Sequence, residues 1–304
     1  MTTTVESTTR SLVRNFGRQR PLRAGSLLVT IFGDSIAPRG GVITLRSLIE
    51  LAAPFGLTER LVRTSVSRLA DDGWLTSRRR GRLSEYRLAR TGADRFARAT
   101  SRIYAAPRRQ WDGRLTVAIA HRERRGVNAQ LAQSLSWEGF AQIARGVLVS
   151  AAHDASATRQ IIARAGLAGD VHVLTACDER SQELAQIVRS GWNLDELAAR
   201  YRSFLKRFAP LARTVAHERS VDPRCAFVLR TLLIHEFRKV ELRDPLLPAA
   251  LLPDDWAGHD AYALCRRVYR WALAPAERFL SATACRLDGS LPPADPALFR
   301  RFQR

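Results

Sequence analysis

Lysine is nearly absent from this chain: of 49 basic residues in 304, all but Lys206 and Lys239 are arginines. Such uniformity looks like a coding preference, so where the arginines lie says more than that they are arginines. Cysteine is scarce too. Cys177, Cys225, Cys265 and Cys285 are far apart, with no Cys-x-x-Cys pair and no histidine at ligand spacing. That excludes a disulfide framework and a structural zinc site, and leaves reduced, mostly buried thiols as the expectation. Long apolar runs are missing as well. Residues 1–20 are polar and dotted with arginine, unlike a signal peptide, and nothing approaches the ~20 apolar residues of a membrane span. A cytoplasmic protein with no membrane partner is expected.

Convergent catalytic patterns are the next absence. No Ser/His/Asp, Cys/His or paired-carboxylate arrangement stands out, which argues against an enzyme. His235-Glu236 begins like a His-Glu-x-x-His metalloprotease helix, but Lys239 occupies the second histidine position. No metal ligand, cofactor or catalytic residue is assigned.

What is present is length and positive charge. A chain of 304 residues, 46% hydrophobic, can bury more than one core. The formal net charge of +20 points to an anionic partner, because clustered guanidinium groups displace the counterions condensed on phosphates. Residues 1–104 hold 19 arginines against 8 acids and carry more than half of that net charge.

Ala24, Leu27, Leu28 and Ile31 follow helical spacing, predicting a helix to about Phe32 that Gly33 and Asp34 end. A short Val42–Thr44 strand leads into a second helix marked by Leu45, Leu48, Ile49 and Ala52. A third helix opens with Thr58 as N-cap and Glu59 in the first turn. Its buried stripe is Leu61, Val62, Val66 and Leu69. Arg60, Arg63, Thr64, Ser67 and Arg68 form the opposite face, which suits a major groove: arginine donates bidentately to guanine, and small hydroxyls allow close approach. After Asp72-Gly73 the pattern reads as a β-hairpin with Arg78, Arg79, Arg80 and Arg82 at its tip and Tyr86 on the returning strand. Three helices and a basic hairpin in this order predict a winged helix-turn-helix on double-stranded DNA. An arginine-rich protein that merely solvates a helix face is the alternative. Thr91 and Asp94 resemble a capping box for a linker helix.

From here the residues resemble a known family, the PaaX-type repressors of phenylacetate catabolism. The stretch 32–75, FGDSIAPRGGVITLRSLIELAAPFGLTERLVRTSVSRLADDGWL, with RRRGRLSEYRLARTG after it, is similar to that family's N-terminal region. RTLLIHEFRKVELRDPLLPAALLPDDWAGHDA (230–261) is a second landmark. Over residues 22–285, the resemblance implies a homodimeric repressor of an aromatic-acid operon, released from operator DNA by an aryl-coenzyme A thioester, usually phenylacetyl-coenzyme A.

Beyond the reading head, Trp111–Ala120 reads as a buried strand, Val127–Leu135 as a helix, 142–150 as a strand or hairpin, Ala157–Ala165 as a helix and Val171–Leu174 as a strand. This β-α-β-β-α-β order implies a ferredoxin-like sandwich. The resemblance agrees, since that family's central domain is itself like the small nuclease subunit of CRISPR adaptation. Metal-binding carboxylates are not found at the end of the first strand, where Ala120 and His121 stand, so dimerisation or spacing is the expected role. Helices follow at Leu194–Phe208, at Pro223–Val240 with Asp222 as N-cap, and at Ala261–Leu273. The expectation is a multidomain α+β chain: a winged helix-turn-helix over 22–104, a ferredoxin-like domain over 105–190 and a helical effector and assembly domain over 191–285. Arg230, His235, Arg238, Lys239 and Arg243 beside Phe237, Trp256 and Tyr262 supply the cations and aromatic slot that an acyl-coenzyme A needs. Core packing is the competing explanation for the aromatics, a carboxylate-bonded core histidine for His235, and a fixed Asp-Pro turn for Asp244.

Overall fold

The structure is a computed structural model that describes residues 4–107, 110–121, 126–177, 182–218 and 220–303. It mixes helices with three antiparallel sheets. Two compact units emerge, one of residues 1–106, 203–242 and 261–304 and the other of 107–202 and 243–260.

The first unit opens on α1 (Thr4–Gly17), which buries Val5, Thr9, Leu12 and Phe16. This stripe is spread over four turns among polar residues, so it leaves no apolar run to notice. α2 (Ala24–Ile31) does not stop the helical path at Gly33-Asp34 as expected. The path widens into a π-type turn over Phe32–Ile36 and tightens into a 3-10 turn over Ala37–Arg39. Gly33 is there for close packing rather than as a breaker: a Cβ on it would meet the Phe96 ring at 2.6 Å.

β1 (Val42–Thr44), α3 (Leu45–Ala52) and α4 (Glu59–Asp71) follow. Thr44 and Thr58 cap the two helices by accepting the amide hydrogens of Ser47 and Leu61. β2 (Leu75–Arg80) and β3 (Leu83–Leu88) form a hairpin closed by Gly81-Arg82, and with β1 make a sheet of order β1-β3-β2. α5 (Arg90–Ile103) lacks the expected capping box. Thr91 lies inside the helix, and its hydroxyl donates to the Gly73 carbonyl at 2.7 Å, tying the helix to the turn before the hairpin.

α10 (Pro223–Glu241) is buried over most of its circumference, with Asp222 as N-cap and Pro223 at its first position. Most of α11 (Ala257–Thr283), from Ala261 on, a small hairpin of β8 (Cys285–Arg286) and β9 (Gly289–Ser290), and the single turn α12 (Pro296–Phe299) complete this unit.

The second unit is built on an antiparallel sheet of order β5-β6-β4-β7, from β4 (Arg114–Ala120), β5 (Ala141–Ala144), β6 (Val147–Ser150) and β7 (Val171–Cys177). α6 (Val127–Ser136) and α7 (Ala155–Arg164) enclose one core with Ala118, Leu148 and Val171. α8 (Gln182–Gly191), which periodicity did not single out, places Leu184 and Val188 against Leu115, Val149 and Trp192 in the other. α9 (Leu194–Thr214) begins in this unit. Asp244 does fix its turn: it accepts from the Leu246 amide at 2.7 Å and from the Tyr201 hydroxyl at 2.7 Å.

The cysteines correct one expectation. Cys265 is buried, but Cys225 is half-buried, and Cys177 and Cys285 are exposed. No helix among the described residues is long and apolar enough to cross a membrane.

Candidate functional site

α4 sorts its residues by period. Val62, Ser65, Val66 and Leu69 are buried, while Thr58, Arg60, Arg63, Thr64, Ser67 and Arg68 are all exposed. Leu61, expected in the apolar stripe, is half-buried. The polar face is partly self-engaged: Arg63 pairs with Glu59 one turn back at 2.7 Å, and the Thr64 hydroxyl donates to the Arg60 carbonyl. Both partners are exposed, so this pair is weak and a phosphate or a base edge can displace the carboxylate.

On the hairpin, Arg78, Arg79, Arg80 and Arg82 are exposed and Tyr86 is half-buried. Gly81 takes φ 59°, which a two-residue turn of this hand requires. The hairpin is braced from the chain's far end. Glu85, only 3% exposed, accepts the Leu287 amide at 2.9 Å, and Arg80 lies 3.5 Å from Asp288. Cys285 adds a second tie, its amide donating to the Ser47 hydroxyl at 3.0 Å.

A buried charge cluster in the same unit was not expected from sequence. Asp34, read as a helix stop, accepts hydrogen bonds from the hydroxyls of Tyr104 (2.6 Å) and Tyr269 (2.9 Å) and from Arg301 (3.0 Å). Its other oxygen lies 3.0 Å from Arg230. Arg230 also donates to Glu277 and to Ser35, both at 2.7 Å, and Arg39 donates to the other oxygen of Glu277. Burial alone would lower the pKa of Arg230, but the charges of Asp34 and Glu277 outweigh it and hold the group above its ordinary value. Burial raises Tyr104 and Tyr269, keeping both as neutral donors to Asp34. One signal was available: Asp34 and Arg230 each interrupt an otherwise apolar stretch, LLVTIFGDSI and FVLRTLLIHEF.

The residues chosen for an effector divide between the units. Arg230, His235, Arg238 and Lys239 lie on α10 in the first; Arg243 and Trp256 belong to the second. Arg230 and His235 have no exposed surface. The His235 Nδ1 lies 3.0 Å from the Thr30 hydroxyl, and Phe16 meets the ring edge-on. Burial pushes the His235 pKa well below 6.5, and the cations Lys239, Arg238 and Arg23 push the same way. Arg238 is held by Thr30 and by Ser26 through both hydroxyl and carbonyl, and Lys239 by Glu236 at 2.6 Å. Arg243 is exposed; Trp256 is 5% exposed and packs edge-on against Tyr201. Phe237 is core, and the Tyr262 ring meets that of Phe302 at a tilt of 57°. Among the described residues, no three His, Cys, Asp or Glu side chains converge on a metal-sized site.

Three family models match the chain in sequence order: a PaaX-like protein model over residues 23–92, the PaaX protein central Cas2-like domain over 108–188, and the PaaX-like protein C-terminal domain over 192–282. The transcriptional repressor PaaX of Escherichia coli is 35% identical over 288 residues, covering 93% of this chain and 90% of that protein. A solved structure of an uncharacterized protein from Mycobacterium tuberculosis is similar at 25% identity and a TM-score of 0.48, over 76% of this chain and 88% of the other.

Proposed function

Because this chain belongs to the PaaX-like protein family, we propose that it is a cytoplasmic, non-enzymatic transcriptional repressor that binds operator DNA as a homodimer. The observation that carries the proposal is the pairing of an exposed Arg/Thr/Ser face on α4 with an arginine-tipped hairpin in one compact unit. In this reading the three helices and hairpin within 22–104 are a winged helix-turn-helix, with α4 in the major groove and the hairpin tip along the phosphates. The four-stranded unit is a ferredoxin-like domain over 105–190 that joins two copies or spaces them. The helices of 191–285 carry signals to the reading head.

Control of an aromatic-acid operon, with release by an aryl-coenzyme A thioester, completes the proposal. Arg243, the one cation of the sequence-chosen set with an exposed side chain, is the group to contact the coenzyme phosphates. Footprinting on the protein's own promoter region is the test. A protected, imperfectly palindromic site whose affinity falls steeply with salt is the expected result, because several phosphates are neutralised per dimer. Absence of any protected site at low salt overturns it.

A further inference from the structure

The helical layer over the four-stranded sheet stops short. α6 and α7 cover Ala118 and Ala120 of β4 and Val171 and Val173 of β7. Two-residue alternation carries the same face on to Thr116 and Arg114 and, opposite Thr116, to Thr175. There the aliphatic residues give way to hydroxyls and a guanidinium, and in place of a helix lies a cleft of about 740 Å³. That volume falls inside the roughly 300–1,000 Å³ typical of small-molecule sites.

The cleft is held in shape by its own bonds. The Trp111 indole N–H donates to the Arg114 carbonyl at 3.0 Å, and the half-buried ring leans on the Leu115 and Trp192 core. On the other side, the His153 ring stacks on Phe140 at 5.4 Å between centroids, while its carbonyl accepts from the Thr116 hydroxyl at 2.7 Å. Ala152 and Ala157 contribute only methyl groups, which leaves the floor open. α7 starts at this wall, so the Ala155 amide lacks an intrahelical acceptor, as the first amides of a helix do.

Beside the carboxylates of Asp112 and Asp154, which also line the cleft, an aromatic face, a guanidinium with several donors and the small side chains Ala152 and Ala157 suit a planar aryl group that carries a carbonyl oxygen. We propose that this cleft takes the aromatic acyl end of the effector, its ring laid against Trp111 and its carbonyl oxygen bonded by Arg114. The proposal rests on the reading that an aryl thioester releases the repressor. It moves recognition of the acyl group from α10 to the central unit.

Calorimetric titration of the full-length protein with phenylacetyl-coenzyme A tests it, with operator binding followed in parallel. Arg114→Gln and Ala157→Phe, the second filling the cleft, should each weaken thioester binding by about tenfold or more, the scale of a lost hydrogen bond to a charged group. Operator affinity without ligand should stay unchanged. If Arg114→Gln lowers the melting temperature, Ala157→Phe decides. Wild-type affinity in both variants overturns the assignment, as does a loss confined to Lys239→Gln and Arg243→Gln. A wild-type protein that takes up no phenylacetyl-coenzyme A removes the effector reading itself, and the cleft assignment with it.

Discussion

Arg230 shows how much depends on a single buried charge. Its guanidinium is wholly enclosed and balanced by Asp34 and Glu277, each of which also serves other partners. Removing one member strands the others in a medium that solvates them poorly. Arg230→Met should therefore lower stability by about 3–5 kcal/mol, measured as the urea midpoint; a change below about 1 kcal/mol would mean that water reaches the cluster. His235 acts in the opposite sense. The folded protein keeps it neutral because burial and the cations Lys239, Arg238 and Arg23 disfavour a second proton, and Glu236, 4.0 Å away, does not reverse this. The unfolded chain binds that proton below about 6.5, so stability is lost as pH falls from there toward the depressed folded value. His235→Asn should flatten the loss between pH 7.5 and 5.5; parallel pH profiles for the two proteins would show that other groups cause it.

At the scale of the element, the proposed function divides the work of binding between α4 and the β2-β3 hairpin. The hairpin presents exposed guanidinium groups about a two-residue turn, which in the proposed complex lie along the phosphate backbone and favour no base over another. Arg79→Ala with Arg80→Ala should weaken specific and non-specific DNA alike and reduce the slope of log affinity against log salt. Arg63 sits on the exposed face of α4 that the proposed function turns toward the groove, paired with Glu59 at 2.7 Å. Arg63→Ala should cost about 1–3 kcal/mol of discrimination between operator and a mismatched site. Equal losses on every sequence in a competition assay would assign it to the backbone instead. The exposed polar face of α4 and the arginine-tipped hairpin were legible from residues 58–82 because helical period and turn chemistry are local. The brace from β8 and β9 was not, since Leu287 and Glu85 meet across 202 residues and neither has a distinctive local pattern.

For the whole molecule, release by an effector is a linkage statement. A ligand that dissociates the repressor must bind the DNA-free form more tightly, so operator DNA must weaken ligand binding by the same factor. With a typical coupling of ~1–3 kcal/mol, saturating operator should raise the apparent Kd for phenylacetyl-coenzyme A about 5–150-fold. Identical titrations with and without operator would separate binding from induction. Inside the first unit, Asp34, Tyr104, Arg230, Glu277 and Arg301 come from five separate stretches of chain and share hydrogen bonds.

The sequence alone determined the elements whose signals are local. The N-caps Thr58 and Asp222, the exposed face of α4, the arginine tip and the alternating strands of the central unit could be read because each depends on neighbours within a few residues. Tertiary structure decided what opposite charges do when apolar stretches bring them together. Asp34 reads as a helix stop and Arg230 as a ligand cation until the fold places them 3.0 Å apart. It also decided that Phe302, in a tail without a periodic pattern, is buried and that its neighbour Arg301 pairs with Asp34 at 3.0 Å. The physical reason is that periodicity reports which side of an element is apolar, whereas the partner of a buried charge is set by which distant segments pack against it.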